Sequence, residues 1–166
     1  MRAFSSILTT YTPQWPNRVT KVAGPSRRML AAPEIPGADA VLEWFGYWPT
    51  FHDAEVLFIL LDRSGSSRVA IHAFERSREV DATGYYVLTK HAVVTFTFRG
   101  FIPDREGITN VRIEYFNHQN VLSSASIEKI PEAYQLRLDG IYGVDATIVC
   151  EQITVALEPG APERAP

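Results

Sequence analysis

The stretch from Trp44 to Leu61, W-F-G-Y-W-P-T-F-H-D-A-E-V-L-F-I-L-L, decides how the chain is read. Val41, Trp44 and Phe45 fall at i, i+3 and i+4, an apolar helical stripe. Gly46 suits the left-handed position that ends a helix, and Pro49 prevents the helix from resuming. The spacing predicts one helix from Ala38 to Phe45, with Asp39 in the first turn, where the helix dipole favours an anion. At about two turns it must be held by packing rather than by propensity. Next, Val56 to Leu61 is apolar on both faces, the pattern of a central strand covered on both sides.

Strand signals dominate from there onward. Arg68 to Phe74 sets Val69, Ile71 and Ala73 against His72. A polar linker from Glu75 to Gly84 precedes Tyr85 to Arg99, where Ala92, Val94, Phe96 and Phe98 alternate with His91, Val93, Thr95 and Thr97. Ile108 to Phe116 sets Val111, Ile113 and Tyr115 against Arg112 and Glu114, so one side reads as wet. The polar tip Asn117 to Asn120 is a hairpin signal leading into a strand from Val121 to Ile130. Strands follow from Tyr134 to Leu138 and from Ala146 to Leu157; in the second the apolar phase changes between Cys150 and Ile153, which predicts a bulge. The fold class is α+β, mainly β. It has an antiparallel sheet of six or seven strands, a curled sheet or a two-layer sandwich, behind one short N-terminal helix. No βαβ pattern occurs, which excludes a doubly wound nucleotide fold.

The 166 residues suit one domain with tails. Residues 1–33 carry Arg2, Arg18, Lys21, Arg27 and Arg28, no acid and no sustained period. They are expected to form a disordered extension, with Met29 as a candidate true start. Residues 34–157 form the expected domain, and residues 158–166 a Pro- and Ala-rich disordered tail. No run approaches the ~18 apolar residues of a membrane helix. The single cysteine, Cys150, excludes an internal disulfide and points to a reducing, cytoplasmic compartment. Its apolar strand context reads as a buried small hydrophobe.

The net charge of −3 hides an asymmetry: residues 34–157 hold 10 basic and 17 acidic side chains. Such a body repels phosphate backbones, so no nucleic-acid partner is expected; it suits a basic protein partner. F-H-D-A-E is the one titratable cluster in the Trp-rich segment. On a strand Asp53 and Glu55 share a face while His52 points away, so a structural corner outweighs a metal or acid/base site there. The histidines His72, His91 and His118 sit on separate segments without metal-ligand spacing, and no nucleophile-elbow or phosphate-loop motif occurs. No cofactor, metal or catalytic residue is predicted.

The segments W-F-G-Y-W-P-T-F-H-D-A-E-V, G-Y-Y-V-L-T-K-H-A-V-V-T-F-T-F and F-N-H-Q-N-V-L, with D-G-I-Y-G at residues 139–143, together resemble the immunity protein 50 family over about residues 34–157. The resemblance implies a non-enzymatic bacterial protein that neutralises a toxin of a polymorphic-toxin system. It carries no catalytic residues over. The surface expected to meet such a partner is drawn from Trp48, Phe51, His52, Asp53 and Glu55, or from Asn117, His118 and Asn120. The alternatives are a metal-dependent or acid/base enzyme centred on His52, Asp53 and Glu55, and a structural or regulatory binding module.

Overall fold

The computed structural model describes residues 31–101, 107–118 and 120–162. Of the sequence expectations, the extension through residue 30, Gln119 of the polar tip and residues 163–166 of the tail lie outside the described residues.

Helix α1 (Ala38–Phe45) lies where the apolar spacing puts it. Gly46 closes it in the left-handed conformation, its N–H donating to the Leu42 carbonyl at 2.7 Å. The last turn has no basic residue of its own. Lys90 supplies one from the sheet: its Nζ donates to the Phe45 carbonyl at 3.0 Å, and Trp44 Nε1 donates to the Lys90 carbonyl at 3.0 Å. At the other end Val155 N–H donates to the Pro36 carbonyl. Gly37 lets the backbones meet there, since a Cβ at this position would fall 1.8 Å from the Val155 carbonyl oxygen.

Seven strands make one antiparallel sheet: β1 (Glu55–Leu60), β2 (Ser67–Val80), β3 (Tyr86–Phe101), β4 (Ile108–Ile113), β5 (Leu122–Ile130), β6 (Ala133–Gly140) and β7 (Val144–Pro159). Their order is β1-β2-β3-β7-β6-β5, with β4 alongside the first part of β7. The sheet curls until Glu55 meets Val121 in one antiparallel bridge, without closing. The curled sheet, rather than the two-layer sandwich, is the architecture formed.

Inward positions follow the predicted alternation. Val69, Ile71 and Ala73 of β2, Ala92, Val94, Phe96 and Phe98 of β3, and Leu136 and Leu138 of β6 are buried in one core with Val41 and Phe45 of α1. Trp48 and Phe51 enter the same core; Phe51 packs edge-on against Trp48 at 6.0 Å and Phe96 at 5.7 Å between ring centroids.

Several expectations are corrected. β1 is an edge strand, not a central one. After a register shift between Val56 and Phe58, the side chains of Phe58 and Leu60 are 41% and 42% exposed, because nothing among the described residues covers that face. Apolarity on both faces marked an uncovered edge. The expected linker from Glu75 continues as strand to Val80, pairing with β3 in an arm beyond the core. Its turn is held by Asp81, whose carboxylate accepts from Thr83 and Tyr85.

Asn117 to Asn120 is not a hairpin tip, because β4 pairs with β7 and β5 with β6. The phase change after Cys150 is real, but β7 has no register shift against β3 there. Both strands change phase together at Gly100, which has φ 70 and packs against Glu151, so the ribbon kinks as a pair. β7 also continues to Pro159, into the expected tail.

Candidate functional site

The corner between α1 and β1 is a strained turn stitched to the start of β5. Phe51 and Asp53 both take positive φ, 58 and 63, uncommon for residues with a Cβ. The surrounding hydrogen bonds hold that conformation. Ala54 N–H donates back to the Phe51 carbonyl at 3.2 Å, Asp53 N–H to Leu122 at 3.0 Å, and Ala125 N–H to Thr50 at 3.0 Å. Leu122 N–H donates to Ala54 at 2.9 Å, and Val56 N–H to Asn120 at 2.8 Å.

His52 adds a side-chain stitch, its Nδ1 lying 3.1 Å from the Ser123 carbonyl. A carbonyl only accepts, so Nδ1 carries the proton. Nε2 then faces Asp53 Oδ1 at 3.7 Å, on a surface where the pair is weakly held. The histidine at this corner satisfies backbone, as the structural reading of the sequence expected.

The two candidate segments, separate in sequence, meet here. Residues 53–56 lie against residues 120–122, so His52, Asp53 and Glu55 share one end of the molecule with Asn117 and His118. Not all the nominated residues reach its surface. Trp48, Phe51 and Asn120 are buried and support it from beneath, whereas His52, Asp53, Asn117 and His118 are exposed and Glu55 is half-buried.

Asn120 holds this end together. It is 2% exposed, its side-chain amide donates to the Phe116 carbonyl at 2.9 Å, and its main-chain oxygen accepts from Val56. Its Oδ1 has no hydrogen-bond partner among the described residues and lies against Gly143. The adjacent Val121 carbonyl accepts from both Ile141 and Tyr142.

Sequence reasoning missed what this assembly displays: Tyr115, Phe116, Ile141 and Tyr142 all stand exposed around it. Two signals were available. Ile141 and Tyr142 are bulky residues between turn glycines, and the apolar set Val111, Ile113 and Tyr115, read from the sequence as one strand face, stands exposed, with Tyr115 beyond the end of β4.

A hollow of about 120 Å³ lies between this corner and the outer part of β2, bounded by Trp48, Thr50, His52, Phe74 and Arg76. Small-molecule sites run to about 300–1,000 Å³, so this one is of side-chain size. Among the described residues no three of His, Cys, Asp and Glu converge on a point where they could hold a metal ion. Glu55 is not drawn into the His52–Asp53 pair.

His72 and His91 meet on the outer face, Nε2 to Nδ1 at 3.0 Å with nearly parallel rings. Burial, and then the neighbouring His91, hold His72 below its ordinary value of 6.5. The unfolded chain therefore binds more protons between that lowered value and 6.5, and stability rises with pH across this interval. Acidifying from pH 7.5 to 5 is expected to lower the melting temperature, and His72→Phe to flatten that dependence in pH-resolved thermal denaturation.

Cys150 is fully buried and burial pushes its thiol up to about 11. An aromatic disulfide reagent at pH 8 is expected to leave it unlabelled in the native protein and to label it once the chain unfolds in denaturant.

Fold and site together define a small single-sheet β domain with one acidic, aromatic end built around a strained corner. The chain belongs to the immunity protein 50 family, whose model matches residues 37–157. No curated protein and no solved structure matches it.

Proposed function

We propose that this protein binds a protein toxin in a stoichiometric complex and blocks it, acting without turnover in the cytoplasm of a bacterial cell. The observation that carries this reading is the family match across residues 37–157. Charge supports it: residues 34–157 hold 17 acidic against 10 basic side chains. A toxin domain with a basic cleft would be drawn to such a surface, faster at low salt than at high salt.

The test is co-expression with the products of the adjacent genes. Growth rescue from a toxic neighbour, with a one-to-one complex on co-purification, is the expected result. Absence of both toxicity and complex would remove the reading.

A further inference from the structure

We infer that the toxin docks on the end of the molecule gathered around Asn120, with Tyr115, Phe116 and Tyr142 as its anchors and Asp53, Glu55 and Glu114 as its acidic border. The inference rests on the neutralisation reading and adds to it where the partner sits and what it must look like.

The backbone puts these residues at one place. Asn120 binds the Phe116 carbonyl, Val121 is bridged to Glu55 and accepts from Tyr142, and Glu114 N–H donates to Gly143 at 2.8 Å. The side chains of Tyr115 and Tyr142 are 77% and 67% exposed, an arrangement that burial in this chain does not explain. Tyr115 also holds φ 51, a conformation uncommon for a bulky residue, while its side chain stands exposed. Tyrosine is enriched among the few residues that dominate binding at protein interfaces, being large and rigid with a polar tip.

Charge selects the partner. Arg112 donates to Asp145 at 2.8 Å and Arg137 to Asp139 at 2.7 Å, so both of these arginines are ion-paired within the chain. Asp53 and Glu55 have no lysine or arginine partner among the described residues, and Glu114 faces only Arg112, which Asp145 already holds. The surface therefore fits a folded protein whose contact face is basic at its border and offers apolar hollows at its centre.

The exposed apolar residues at the tip of the β2–β3 arm, Tyr85 among them at 73%, provide an internal control of the same residue type. The probe is the toxin domain encoded beside this chain's gene, in an inactive form, titrated against the full chain by calorimetry. Tyr115→Ala and Tyr142→Ala are each expected to raise Kd about 30-fold or more. Glu114→Lys should raise it about tenfold, mainly through slower association at low salt. Tyr85→Ala should stay within twofold.

Tyr115→Gly separates docking from folding: relief of the positive φ raises the melting temperature while affinity falls. Anchors within twofold of the wild type, or a Tyr85→Ala loss as large as theirs, would overturn the surface while the wild-type complex still upheld neutralisation. If the wild type forms no complex and rescues no growth, the neutralisation reading fails and takes the surface with it.

Discussion

Phe96→Ala is expected to lower unfolding stability by about 3–5 kcal/mol, the range for truncating a buried aromatic. Phe96 is fully buried in the middle of β3, opposite Val69 on one neighbouring strand and Val155 on the other. Its ring meets Phe51 edge-on at 5.7 Å, and Phe51 meets Trp48. The substitution therefore opens a void where the sheet, the strained corner and the segment after α1 converge. A loss of this size is a large fraction of the about 5–15 kcal/mol that ordinarily separates folded from unfolded chains.

Urea unfolding measures it, provided the slope with denaturant is unchanged. Phe58→Ala is the matching control, because Phe58 is 41% exposed on the edge strand; it should cost only about 1–2 kcal/mol. A larger loss at Phe58 than at Phe96 would invert the inward and outward assignment of the sheet. Pairing Phe96→Ala with Phe51→Ala in a double-mutant cycle should show coupling of about 0.5–1.5 kcal/mol from the ring contact.

The contrast between these two phenylalanines shows what local pattern can carry. In β3 the buried apolar residues recur every second position with mostly polar residues between them, so the inward face is written in the strand itself. In Val56 to Leu61 every residue is apolar, and the pattern is silent about whether one face or both are covered. That depends on whether another element crosses the strand, which is decided far away in the chain.

The same reason separates α1 from the supposed hairpin at Asn117. The helix ends are set by Gly37 and Gly46, the residues immediately flanking it. The partner of β4 is β7, some thirty residues on, and turn residues at 117–120 cannot encode it. Within the candidate site, the titratable corner at His52 to Glu55 was legible because it concentrates charge in a short segment. Its junction with residues 120–122 was not, because the ladder contacts joining them are mostly main-chain and any residue could make them. Exposure of Tyr115 and Tyr142 was hidden for a related reason: aromatic residues in a β-rich sequence read as core until the covering elements are known.

Gly143→Ala is the second large effect, and it tests that junction directly. Gly143 has φ 89, where a Cβ costs about 1–2 kcal/mol. The added Cβ would also fall 1.9 Å from Asn120 Oδ1, whose side chain is buried and fixed to Phe116. Overpacking of that kind adds about 1–3 kcal/mol, for a combined loss of about 2–5 kcal/mol.

Gly84→Ala isolates the first contribution, since Gly84 has φ 91 and nothing within 4 Å of where its Cβ would stand. It should therefore cost only the strain. Equal losses at the two glycines would mean that Asn120 does not press on Gly143.

The sharper arm is the double variant Gly143→Ala with Asn120→Ala. Removing the amide clears the space for the new methyl, so the double loss should fall below the sum of the single ones. Additivity would separate the two residues and dissolve the junction. A shortfall would place the turn carrying Tyr142, the segment carrying Phe116 and the start of β1 on one packed support. A surface built from three distant parts of the chain needs such a support to hold its shape.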